Sequence, residues 1–137
     1  MIGRMRDTLD RIPQAALLLL ARLAIAALFL RSGLAKLADW DLTLTLFADD
    51  YRLPLLAPDM AAILATGLQI ACPALLILGL GTRLASLPLL AMTLVIQVFV
   101  YPAGWADHLC WAALLILILV RGPGPIALDR LSRDQKR

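Results

Sequence analysis

Six side chains in this sequence could bind or transfer something: Arg22, Lys36, Gln69, Asp107, His108 and Trp111. A guanidinium offers five fixed donors and a side-chain amide offers both donors and an acceptor. An imidazole titrating near its unperturbed pKa of about 6.5 can exchange protons beside a lysine and an aspartate. Their surroundings make this set unusual. From Gln14 to Ala35 the chain is almost wholly Ala, Leu, Ile and Phe, and about twenty such residues cover a hydrocarbon core of roughly 30 Å at 1.5 Å per helical residue. An ionised group at mid-span costs about 2.5–3.5 kcal/mol on insertion scales. Arg22 therefore needs polar company from neighbouring segments. Arg31 and Lys36 lie near the far end, where a long side chain can snorkel to the headgroups.

The segments that position these groups are visible in the composition. Hydrophobic residues make up 61% of the 137 and charged ones 17%, against about 45–50% and about 25% in soluble domains. The excess gathers in four blocks with charges at their edges, as a bilayer imposes. The fold class expected is all-α: one integral membrane four-helix bundle, with a partly ordered outer loop between the first two spans. The net charge of +3 does not point to nucleic acid, because most Lys and Arg residues lie in tails and one short turn, where topology and anionic lipid account for them. Arg4, Arg6 and Arg11 before an apolar stretch invite a signal-peptide reading. The stretch outruns an h-region of about 7–15 residues and contains Arg22, so it reads as an uncleaved first span.

The spans fall at about 14–35, 59–80, 83–101 and 103–120. Gly79 and Gly81 stop the second, Thr82 is a candidate N-cap for the third, Pro102 ends it, and Gly122-Pro123-Gly124-Pro125 breaks the fourth. Arg4, Arg6 and Arg11, then Arg83, then Arg121, Arg130, Arg133, Lys136 and Arg137 fall on one side; Lys36 and Arg52 fall on the other. The positive-inside rule then predicts both termini in the cytoplasm. The loop carrying Trp40, Leu42, Leu44, Leu46, Phe47 and Tyr51 reads as a segment in the interface or capping the bundle, and 126–133 as a short amphipathic tail helix.

Spacing selects the inward faces. Arg22, Ala26, Phe29, Gly33 and Lys36 share one stripe, and Thr66, Gln69, Pro73 and Leu76 another. Pro73 cannot donate to the carbonyl four residues back, which frees the Gln69 backbone acceptor beside the Gln69 amide. Arg22 is the expected partner of both. Gln97 reads as a structural hydrogen-bonding residue. At the outer rim Lys36, Asp107, His108 and Trp111 form either an aromatic belt with solvated charges or a site at the membrane surface.

These landmarks resemble the DoxX family. Those that carry the likeness are Arg22-Leu23, Ser32-Gly33-Leu34-Ala35-Lys36-Leu37, Gly79-Leu80-Gly81-Thr82-Arg83, Pro102 with Trp105 and His108, and Gly122-Pro123-Gly124 with Leu128-Asp129. The resemblance implies a small four-helix bacterial inner-membrane protein tied to quinone-linked, thiol-stress or metal-stress redox systems. Family members often carry Glu at the place of Gln69, and this chain has no Glu.

Redox roles can be sorted by residue. Cys72 and Cys110 form no C-x-x-C and sit at different depths, so a disulfide, with Cα atoms within about 7 Å, is not expected; both read as small buried residues. One His with scattered Asp lacks any metal-ligand spacing. The inventory leans against catalysis by the chain alone, although enzyme status stays open. Quinone binding at the rim is the redox role these residues support. The expected function is an accessory or anchoring subunit of a redox or stress-response membrane complex, with lipid and a protein partner; a homo-oligomer stays open. The rivals are a permease or channel component, with Arg22 and Gln69 lining a polar path, and a quinone-dependent oxidoreductase.

Overall fold

A computed structural model describes residues 1–129. It is all-helical among those residues, an all-α membrane bundle: α1 (Ile2–Leu9), α2 (Gln14–Ala38), α3 (Trp40–Thr45), α4 (Pro58–Leu78), α5 (Thr82–Val95) and α6 (Trp105–Arg121). α3 runs into a π-helical turn at Leu46–Tyr51, α5 into another at Ile96–Val100, and a 3-10 turn at Pro102–Gly104 leads into α6. Four segments are long and apolar enough to cross a bilayer: Gln14–Ala38, Pro58–Leu78, Thr82–Val100 and Pro102–Arg121. All four expected spans are present, the first longer than its apolar run suggested.

α2 packs most extensively on α4 and α5 on α6, with α4–α5 and α2–α6 closing the ring. Both expected inward stripes are buried or half-buried. The core joins Ile25, Ala26 and Phe29 to Cys72, Leu76, Ala85, Leu89, Leu115 and Ile118. The outer faces stay leucine-rich and exposed, for example Leu20, Leu64, Leu84 and Val120. That inverts a soluble helix and suits lipid as solvent.

Gly33 sets the α2–α4 approach. A Cβ there would stand 2.9 Å from Ile70 Cγ1, 3.0 Å from Gln69 Cβ and 3.0 Å from the Gln69 carbonyl oxygen. The acceptor released by Pro73 is thus covered by a glycine backbone, a close approach typical of membrane helix pairs.

The loop between the first two spans caps the bundle. Asp39 Oδ1 accepts from Leu42 N at 3.1 Å to start α3, and Thr43 Oγ1 donates to the Lys36 and Asp39 carbonyls at 3.0 and 2.9 Å. Phe47 is buried against Ala61 and Ala62, with Tyr51 edge-on at 5.0 Å.

Two local expectations fail, and a third falls partly outside the described residues. Gly81, at φ 52°, takes the N-cap place of α5; Thr82 is the first helical residue and its hydroxyl is buried without a partner among the described residues. Cys110 is exposed on α6 while Cys72 is buried, and both are free thiols. Helix in the 126–133 stretch begins only at Leu128, after bends at Ile126 and Ala127; its continuation lies outside the described residues.

Candidate functional site

Arg22 does not meet Gln69. Its side chain is 1% exposed, and four of its N–H groups donate to backbone carbonyls: Nε to Leu76 at 2.8 Å, Nη2 to Ile77 at 3.0 Å, and Nη1 to Pro123 at 2.8 Å and Ile126 at 2.6 Å. The first two lie in the last turn of α4, where carbonyls lack intrahelical partners; the others lie in the turn after α6. Gln69 sits two turns deeper along α4, beyond the reach of an arginine committed to that helix end. A charge at the negative pole of a helix is also favourable.

The neighbouring groups complete a knot at this end, called the tail end. Gly81 N donates to Asp129 Oδ1 at 3.0 Å, Asp129 N donates to the Gly79 carbonyl at 3.1 Å, and Arg83 Nη2 donates to the Val120 carbonyl at 3.3 Å. Gly79 has φ 73°, and a Cβ there would lie 2.5 Å from Ala127 Cβ and 2.9 Å from Arg22 Nη2. Gly79→Ala therefore meets both a left-handed backbone, costing roughly 1–2 kcal/mol, and a collision with the tail. Lower thermal stability in detergent and faster proteolysis beyond Arg121 are expected; unchanged values of both would show that the knot tolerates a side chain.

At the opposite, loop end, Gln97 Nε2 donates to the Pro102 carbonyl at 3.0 Å, which turns Oε1 toward His108 Nδ1 at 2.7 Å. The imidazole N–H then donates to the amide. His108 is buried and packs edge-on against Trp111 at 4.8 Å, which meets Phe29 at 5.8 Å. Gly104 leaves room for this arrangement, since a Cβ there would lie 2.6 Å from the Tyr101 ring and 3.1 Å from His108 Cε1. Gln97 is structural, as expected. Asp107 is exposed and takes no part. Of the rim residues selected from the sequence, His108 and Trp111 pack together, Asp107 is exposed, and Lys36 makes its hydrogen bond elsewhere.

Lys36 has different company. Its Nζ donates to Ser32 Oγ at 2.9 Å, and it lines two adjoining cavities beneath the cap. One, about 210 Å³, has Ser32, Asp39, Thr43, Phe47 and Tyr51 among its walls. The other, about 80 Å³, adds Gln69 and the apolar wall of Leu53, Met92, Val95, Ile96 and Val100. Gln69 is 3% exposed, and its Oε1, like Thr66 Oγ1 one turn away, has no hydrogen-bond partner among the described residues. An unmet acceptor in so dry a place costs about 1–3 kcal/mol. Burial, and then the charge of Asp50, hold the Tyr51 phenol above its ordinary pKa, so it stays a neutral donor. The geometry brings together two sequence-selected residues, Lys36 and Gln69, and adds Tyr51, Phe47 and Ser32. Ser32 carried a signal, one helical turn before Lys36; Tyr51 and Phe47 carried only aromatic loop character.

Arg22 is engaged at the tail end and Gln69 lines a loop-end cavity, so within one chain the two do not share a cavity. Among the described residues no cluster of His, Cys and Asp could hold a metal ion. No curated protein and no solved structure matches the chain. The DoxX family model matches residues 17–102, well over half the sequence, spanning α2, the cap, α4, α5 and the turn into α6. With four apolar crossings and that match, this multi-pass membrane protein belongs to the DoxX family.

Proposed function

We propose that the protein is an accessory, membrane-anchoring subunit of a redox or stress-response assembly of the bacterial inner membrane, and that it holds a quinone headgroup under the loop-end cap. The observation that carries this reading is a cavity lined by both Lys36 and Gln69, the latter with a buried Oε1 that has no hydrogen-bond partner among the described residues. A quinone, when bound, supplies a reversible two-electron, two-proton carrier. Lys36 would donate to one ring oxygen, and Gln69 Oε1 would accept a hydrogen bond from a hydroxyl of the reduced form. Phe47 and Tyr51 supply ring walls. The cavity volumes of about 210 and 80 Å³ fall below the roughly 300 Å³ floor of ordinary ligand sites, so a headgroup fits and an isoprenoid tail stays in lipid along Val95, Ile96 and Val100. The basic tails support a cytoplasmic location for both termini, which puts the cap on the periplasmic face, where a partner enzyme would dock.

Photo-labelling with an azido-quinone in nanodiscs tests the site. Label is expected in peptides covering 32–53 and 92–100. Lys36→Met and Gln69→Leu should each reduce it roughly tenfold, the factor that corresponds to losing about 1.4 kcal/mol. Gln69→Leu should leave thermal stability unchanged or raise it, since it removes an acceptor without a partner. Labelling equal to wild type in both variants would overturn the site. The subunit role stands or falls separately, on co-purification of soluble oxidoreductase subunits from native membranes.

A further inference from the structure

By composition the first thirteen residues are a basic tail. The structure makes a helix of them. Every residue from Met1 to Gln14 is exposed, and α1 buries nothing against the bundle. Ile2, Met5 and Leu9 recur at three- and four-residue spacing and so share one face; Ile2 is 80% and Met5 63% exposed. Arg6 borders that face, Asp7 lies on the side opposite to it, and Arg4 stands between the apolar face and Asp7. Pro13, extended at ψ 136°, separates α1 from α2, so the two helices need not share an axis. α2 enters the apolar layer at Gln14, so α1 starts at the boundary of the bilayer, on the face that also carries Arg83 and Arg121.

We infer that α1 lies in the plane of the membrane surface as an anionic-lipid-binding helix, its Ile2–Met5–Leu9 face sunk among acyl chains and Arg4, Arg6 and Arg11 against lipid phosphates. The charge arrangement selects this occupant. Arg6 at the edge of the apolar face sits at headgroup level and the long Arg4 side chain can bend to the same level, whereas the carboxylate opposite points to water, the distribution of an interfacial helix. A protein groove would leave these guanidinium groups needing acidic partners, and among the described residues the carboxylates outside α1 and its turn lie at the loop end, apart from Asp129, which is engaged with Gly81.

Nitroxide labels at Met5→Cys and at Asp7→Cys, in a Cys110→Ala background with Cys72 buried in the core, test it on the full chain in nanodiscs. In phosphatidylglycerol-rich bilayers the ratio of oxygen to nickel-chelate collisions should be several-fold higher at 5 than at 7. The Arg4→Gln/Arg6→Gln/Arg11→Gln variant should lose that difference in mixed bilayers and keep its folded state. A label at 5 that is open to the nickel chelate in anionic bilayers would overturn the inference. So would one shielded from both colliders, which would mean that protein covers the face, and so would a triple variant indistinguishable from wild type.

Discussion

Arg22→Leu is expected to lose about 3–5 kcal/mol of stability, the range seen when one partner of a buried charged contact is removed. Four carbonyls, from Leu76, Ile77, Pro123 and Ile126, lose their donors together. Among the described residues, the hydrogen bonds left between the tail and the turn after α4 are then those of Asp129. Arg22→Lys should recover only a fraction, because an ammonium presents three donors from one point and cannot fork across two segments. Arg31→Leu is the matching control. That side chain is exposed and makes no hydrogen bond among the described residues, so its loss should change little. Thermal unfolding in detergent, followed by circular dichroism, reads all three, and an Arg22→Leu protein as stable as wild type would refute the clamp.

Gly33→Leu should be nearly as damaging, for a steric reason. The new side chain would start within 3.0 Å of the Gln69 backbone oxygen and 2.9 Å of Ile70, and a backbone atom inside a helix cannot rotate away. Overpacking costs about 1–3 kcal/mol where side chains can adjust, and here the α2–α4 pair must separate. Gly33→Ala should show the same effect at smaller size. Separation also shifts Gln69 from Lys36, so quinone labelling should fall in step with stability across the series Gly, Ala, Leu. Labelling that survives while stability falls would uncouple the cavity from the helix contact.

The crossings were legible because lipid writes its demand directly into composition: runs of Leu, Ile and Ala bounded by charge and by Gly-Pro breaks. The inward stripes were legible because a fixed helical period makes spacing equivalent to direction, and Arg22 and Gln69 fell on them correctly. The pairing of those two was not legible. Stripes specify direction around an axis but not depth, and α4 runs opposite to α2, so a residue two turns from one end of α2 meets the last turn of α4. The partners of Arg22 are main-chain carbonyls, which every residue possesses and no letter announces. The Gln97–His108 contact joins residues eleven apart across a turn, which spacing arguments on single helices do not reach. α1 is not legible for another reason: eight residues of mixed character give too short a period to separate from a charged tail.

The acceptors that satisfy Arg22 lie 54 to 104 positions further along the chain. During synthesis at about 5–20 residues per second, the guanidinium must wait roughly 5–20 s before its last partners emerge from the ribosome. In that interval the nascent first hairpin carries an unspent cation, held at the lipid boundary or by the insertion machinery. Closure of the knot thus reports that the final crossing has arrived, and a chain truncated before Pro123 would display an unmet arginine to membrane quality-control proteases.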